Sequence, residues 1–125
     1  MTRLAHARIE RAIRDAEKRT TGHIAVRIVP GKDVDAFERA REEFERAGLH
    51  RASLHNAALV LVAPNAHTYA VLGDRALHER VGDAFWRDVV AEMRPYFQRN
   101  RIGDAILHAV ERIGGELEKH FPAAA

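Results

Sequence analysis

The stretch AALVLVAPNAHTYAVLG, residues 57–73, decides the fold because it contains two predicted strands joined by a tight turn. Residues 57–63 are all apolar, which is typical of a central strand that is covered on both faces. Pro64, Asn65 and Ala66 follow as a turn, and residues 68–72 form the second strand. The stretch therefore predicts an antiparallel hairpin whose first strand lies inside the sheet.

A third strand and a connecting helix precede the hairpin. Ile24, Val26 and Ile28 alternate with other residues, as in a strand with one buried face, and an apolar stripe at helical spacing follows over residues 34–47. A strand–helix–strand unit places its two strands parallel through a right-handed crossover. We therefore expect a mixed sheet in which the strand at residues 57–63 is central.

Helices are predicted before and after this sheet. Apolar residues recur at helical spacing over residues 4–16, and two later helices are expected to begin at caps provided by Asp83 and Asp104. Because the central strand is buried on both faces, helices must cover both sides. The prediction is a single α/β domain over residues 1–125, a three-layer α/β/α sandwich around a mixed sheet of three to four strands.

Composition excludes several classes of function. The 125 residues carry 20 Lys and Arg against 18 Asp and Glu, a net charge of +2 that lacks the clustered excess expected of a nucleic-acid binder. The absence of cysteine excludes disulfides, thiol chemistry and Cys-ligated zinc. No apolar run resembles a secretory signal or a membrane span. We expect a soluble cytoplasmic protein with no membrane insertion and no nucleic-acid partner.

The predicted topology gathers polar residues at one edge of the sheet, which we call the polar edge. The start of the first strand, the start of the central strand and the end of the last strand all lie there, while Pro30 and Asn65 lie at the opposite edge. The residues expected at the polar edge are Thr21, His23, His50, His55, Asn56, Asp74, His78 and Asp83.

Four segments resemble the TPM domain family: IERAIRDAEKRTTGHIAV, HNAALVLVA, VLGDRALHERVGDAFW and GGELEKHFP, within residues 9–122. The resemblance implies an α/β/α sandwich, binding of calcium or another divalent cation in some members, and weak acid phosphatase activity in thylakoid relatives. Asn56 and Asp83 match family positions, and Asp74 fits a soluble subgroup that reads Gly-Asp. His23 stands where the family usually has Glu.

The resemblance and the polar edge together suggest a divalent cation site. Asp74, Asp83 and the amide of Asn56 offer the oxygen ligands that calcium prefers, whereas the imidazole of His23 suits zinc better. The competing interpretation is architectural, since Asp caps helices and Asn closes turns. The sequence allows both interpretations.

The histidines also allow two interpretations. His23, His50, His55 and His78 can act as acid, base or phosphate nucleophile beside an Asp, or they can be ordinary surface side chains. No residue stands in a recognisable phosphatase motif. We therefore predict a binding module that binds a divalent cation, calcium before zinc, and contacts an unidentified protein partner. The alternative is a weak phosphomonoesterase that uses the same edge.

Overall fold

The computed structural model describes residues 1–124. Within that range it contains four helices and one three-stranded sheet: α1 (Arg3–Glu17), β1 (His23–Ile28), α2 (Ala36–Arg46), β2 (Ala57–Ala63), β3 (Thr68–Gly73), α3 (Arg75–Gln98) and α4 (Ile102–His120). Single 3₁₀ turns at Leu49–Arg51 and Pro64–Ala66 lie before and after β2.

The sheet has the predicted mixed topology, with β2 between β1 and β3. β1 runs parallel to β2, with His23 opposite Ala57, and β3 runs antiparallel to β2, with Ala58 opposite Gly73. Every residue of β2 is buried, as its unbroken apolar sequence predicts. The fold class expected from the sequence is therefore confirmed.

Two hydrophobic clusters form the layers of the sandwich. On one face of the sheet, α4 packs between α1 and α3, and its buried stripe includes Ile106, Val110 and Leu117. On the other face, α2 covers the sheet alone through Ala40 and Phe44. The 3.6-residue spacing of these apolar positions turns one side of each helix towards the strands.

The starts of α3 and α4 differ from the predictions. α3 already begins after Asp74, whose carboxylate accepts from the Arg75 N–H (2.8 Å), and Gly82 breaks the helix with a φ of 78°. Asp83 follows that break, and its carboxylate contacts His78. α4 begins at Ile102, so Asp104 lies inside the first turn, where the helix dipole favours a carboxylate without requiring a cap.

The C-terminal end of the described chain meets the turn between α1 and β1. Thr20 pairs with Pro122 in an isolated bridge, the hydroxyl of Thr20 donates to the carbonyl of Leu117 (3.1 Å), and the Ala123 N–H donates to the carbonyl of Arg19 (3.0 Å). These bonds fix the turn between α1 and β1, which is one side of the polar edge.

Between residues 1 and 124, no helix is both long and apolar enough to cross a membrane.

Candidate functional site

The register of the strands forms the polar edge. Because His23 faces Ala57 and Ala58 faces Gly73, the starts of β1 and β2 and the end of β3 lie together. The turn at Pro64–Ala66 lies at the opposite edge, as predicted. The candidate residues do not form one centre, however. Seven of them divide into four local groups, and His50 lies apart from these in a cleft described below.

The first group joins a buried side chain to an exposed one and is structural in character. Asn56 is 1% exposed, and its Nδ2 donates to Oγ1 of Thr21 at 3.1 Å. This bond ties the start of β2 to the turn before β1. The amide nitrogen of Asn56 is therefore used in holding the two strand starts together.

The second group contains a residue that the sequence reasoning missed. The carboxylate of Glu17 accepts from the Ile24 N–H at 2.9 Å, and the same oxygen lies 3.8 Å from Nδ1 of His23. Glu17 therefore places a carboxylate beside His23 from the end of α1. Its position in the last helical turn before a strand was the only available signal.

The third group is the pair of His55 and Asp74. His55 Nδ1 lies 3.3 Å from Oδ2 of Asp74, while Oδ1 of Asp74 caps α3. His55 has a positive φ of 49°, an uncommon conformation for a residue with a side chain. That conformation directs its carbonyl to the N–H groups of Ala76 (3.1 Å) and Leu77 (3.4 Å). The first N–H groups of α3 are thus already bonded to the protein.

The fourth group joins His78, Asp83 and Trp86. The indole Nε1 of Trp86 donates to Nδ1 of His78 at 3.0 Å, and Nε2 of His78 lies 3.1 Å from Oδ1 of Asp83. An indole N–H only donates, so Nδ1 of His78 must carry a lone pair and Nε2 must carry the proton. Both nitrogens of this imidazole are therefore engaged.

Trp86 also brings α3 against the end of β3. A Cβ atom added to Gly73 would lie 2.3 Å from Cζ2 and 2.7 Å from Cη2 of the Trp86 ring. Only glycine allows the ring to approach the strand so closely. The His78 group is thereby attached to the polar edge.

Two clefts meet at the end of β3 and share Phe37, Leu72 and Gly73. The cleft between β3 and α2 has a volume of about 510 Å³ and contains His50 and Asp74 in its lining. The cleft between β3 and α3 has a volume of about 580 Å³, and its polar lining includes His78 and Asp83. The polar edge is therefore a concave surface with mixed polar and apolar walls.

Comparison with known proteins identifies the family. The TPM domain family matches residues 1–116. The chain belongs to this family. The structure of the BA42 protein from the psychrophilic bacterium Bizionia argentinensis is 30% identical, with a TM-score of 0.87, and the match covers 98% of this chain and 84% of that one. No match was found among curated proteins.

Two further solved structures share the fold of this TPM domain. The N-terminal domain of cg2496 from Corynebacterium glutamicum is 15% identical, with a TM-score of 0.74, over 99% of this chain and 78% of that one. The N-terminal domain of a P. gingivalis protein is 12% identical, with a TM-score of 0.78, over 97% and 78%. At these identities the likeness concerns the fold alone.

The polar edge of this TPM domain does not fit a preformed calcium shell. Calcium takes six to eight oxygen ligands, whereas no three His, Asp or Glu side chains of residues 1–124 are grouped closely enough to hold a metal ion. Oδ1 of Asp74 is used by the backbone of α3, and Asn56 is buried. The carboxylates are present as separate pairs.

A further charged cluster in the TPM domain lies away from the polar edge, between α3 and α4. Glu92 accepts from Arg112 Nε (2.8 Å) and contacts His108 Nε2 (2.6 Å). The hydrogen bond from Arg112, and then that from His108, lowers the pKa of Glu92 below its ordinary value. This cluster joins two helices across the surface, and we interpret it as structural.

Proposed function

We propose that this TPM domain is a binding module that contacts a protein partner at the polar edge and does not hydrolyse phosphomonoesters. The observation that carries the proposal is that the first N–H groups of α3 already have hydrogen-bond partners within the protein. Helix starts bind phosphate through free N–H groups. Here Asp74 and the carbonyl of His55 occupy the N–H groups of Arg75, Ala76 and Leu77.

Electrostatics support the same conclusion. The carboxylate of Asp74 occupies the position that a phosphate would take at the helix start, so a phosphomonoester would meet negative charge there. Asp83 adds a second carboxylate beside the cleft between β3 and α3. Both features oppose the binding of a dianionic substrate.

The histidines are also poorly placed for phosphoryl transfer. His78 has its two ring nitrogens engaged by Trp86 and Asp83, so neither is free to attack phosphorus. His55 is oriented by Asp74. His55 is therefore the residue on which a test of catalysis must concentrate.

The test measures hydrolysis of p-nitrophenyl phosphate by purified protein from acidic to neutral pH. We expect turnover no higher than that of the matched variants His55→Ala and Asp74→Asn, because no activated nucleophile is present. Robust turnover that disappears in both variants, with folding intact by circular dichroism, would contradict the proposal and favour the phosphatase alternative.

Weak binding of a divalent cation is a second candidate, favoured by one observation. The only charged or titratable side chains that Asp74 and Asp83 contact within residues 1–124 are histidines, and neither forms an ion pair with Arg or Lys. Other acidic residues, such as Glu43 and Asp104, do have Arg partners. The negative charge of these two carboxylates is therefore not balanced by an Arg or Lys side chain. Thermal stability measured with calcium, zinc or chelator tests whether a bound metal ion supplies the balancing positive charge.

A further inference from the structure

The outer edge of β3 carries a row of backbone groups without hydrogen-bond partners among residues 1–124. The Asp74 N–H donates to the carbonyl of Ala57 (2.9 Å), and this bond sets the alternation of the antiparallel pair. Thr68, Ala70 and Leu72 consequently bond to β2. The N–H and C=O groups of Tyr69, Val71 and Gly73 point away from the sheet, and no residue within 1–124 bonds to them.

The other edge strand of the sheet, β1, is partly protected on its outer side. At the outer side of β1, the carboxylate of Glu17 occupies the Ile24 N–H (2.9 Å), and Nη1 of Arg27 occupies the carbonyl of Val26 (2.9 Å). Charged side chains commonly protect edge strands in this way. β3 has no charged residue in its sequence TYAVLG, so its edge is the less protected of the two.

Three depressions lie along the C-terminal half of this edge, at Val71, Leu72 and Gly73. The two clefts described above share Phe37, which is 53% exposed. A third depression of about 290 Å³ adjoins the cleft between β3 and α3 through Val71 and Trp86. An extended segment beside β3 directs alternate side chains to opposite faces of the sheet. One set would enter the cleft at α2, and the other would lie along α3.

The two faces carry opposite charge. Along α3, Arg75, Arg87 and Arg94 line the depressions, and none has an ion-pair partner in the described part of the chain. One carboxylate, that of Asp83, lines the same face and lies against His78, so the arginines outnumber it. Along α2, the cleft is lined by Glu38, Glu42 and Glu45, opposed by Arg41, which pairs with Glu38 at 3.7 Å. A strand bound here is therefore selected by different charges on its two faces.

We propose that the outer edge of β3 binds an extended segment of another protein, which joins the sheet as a fourth strand. Its alternate side chains are carboxylates that meet Arg87 and Arg94, and the intervening side chains are apolar or basic and face Phe37 and the glutamates of α2. Backbone bonds provide affinity in this mode and alternate side chains provide specificity. The inference rests on the binding function proposed above and specifies the partner.

A second copy of the chain is a poorer occupant. Two-fold pairing of β3 with β3 would place α3 against α3 and α2 against α2. Arg87 and Arg94 would then face the same arginines, and Glu42 and Glu45 the same glutamates, so both faces would be repulsive.

The test is a titration of ¹⁵N-labelled protein with the capped octapeptide Lys-Glu-Val-Glu-Val-Glu-Lys-Glu at low ionic strength. We expect the amide signals of Tyr69, Val71 and Gly73 to shift and their hydrogen exchange to slow. Combining Arg87→Glu with Arg94→Glu should weaken binding roughly tenfold or more. The control Arg11→Glu, an exposed residue of α1 far from β3, should leave binding within about twofold.

Three outcomes would overturn the inference. The first is that the signals of the edge amides do not change when this peptide is added. The second is that a peptide with every Glu replaced by Lys binds equally well. The third is that the edge amides become protected when the protein alone is concentrated and sedimentation gives a dimeric mass, which would identify a second copy as the occupant. Dispersed spectra of the variants exclude misfolding. Failure of the binding module itself is seen separately, as phosphatase turnover that depends on His55 and Asp74.

Discussion

Replacing Gly73 with Ala tests the contact that attaches α3 to the end of β3. The new methyl carbon would lie 2.3 Å from Cζ2 of Trp86, a distance that no relaxed structure tolerates. The ring can yield only by rotating outwards, which breaks its bond to His78. Overpacking costs about 1–3 kcal/mol, and this exposed hydrogen bond adds about 0.5 kcal/mol. We expect a total loss of about 1.5–3.5 kcal/mol.

Urea unfolding measures this loss, and fluorescence reports the contact directly because Trp86 is the only tryptophan. The emission of folded Gly73→Ala should move to longer wavelength as the ring becomes hydrated. The matched control is Gly115→Ala, where an added Cβ meets nothing within 4 Å in an exposed part of α4. That variant should gain about 0.5–1 kcal/mol from better helix propensity.

A double-mutant cycle completes the test. In a Trp86→Leu background the clashing ring atoms are absent, so Gly73→Ala should cost at least about 1 kcal/mol less than in the wild type. Far-UV circular dichroism replaces fluorescence for this pair. A loss below about 0.5 kcal/mol in the single variant, or strict additivity in the cycle, would refute the close packing of Trp86 on Gly73.

Three further predictions address the cation, the charged cluster and the helix caps. If a cation binds, the melting temperature of the wild type is higher in millimolar calcium or zinc than in chelator, and Asp74→Asn and Asp83→Asn lose this increase. Melting temperatures that are the same with metal and with chelator for all three proteins would exclude a metal site. Because the pKa of Glu92 is lowered, its ionised form stabilises the fold above its ordinary value of 4.5, and this contribution is lost as pH falls through the lowered value. The stability difference between wild type and Glu92→Gln should therefore shrink on acidification, and a difference independent of pH would contradict this reasoning. Asp35→Ala removes the cap of α2 and should cost about 0.5–2 kcal/mol in urea unfolding. The control is Asp33→Ala, which removes a nearby carboxylate that does not cap the helix; an equal loss in this variant would show that the cap is not the cause.

The fold was predictable because its signals are local and agree with one another. The apolar run of β2, the alternation of Ile24, Val26 and Ile28, and the spacing along α4 each specify an element and its buried face. Handedness and strand order then follow from general rules of connection. The grouping of strand starts at one edge needed nothing further.

The candidate site was only partly predictable, because it depends on side-chain partners that sequence order does not reveal. Asp83 reads as a cap after Gly82, yet its carboxylate turns back five residues to His78. Glu17 reads as a surface residue of α1, and only the folded turn brings it to the Ile24 N–H. The difference between the two edge strands likewise depends on side-chain bonds that protect part of β1 and have no counterpart along β3.

The junction of Thr20 with Pro122 has a consequence for how the chain folds during synthesis. The hydroxyl of Thr20 and the carbonyl of Leu117 are 97 residues apart in sequence. Closing so large a loop is entropically costly and is expected late in folding. On the ribosome, β1 can pair with β2 long before α4 has left the exit tunnel, so the α1 to β1 turn stays unsecured until almost the whole domain has been made. The emergence of α4 from the exit tunnel, rather than formation of the sheet, should therefore complete the native fold of this domain.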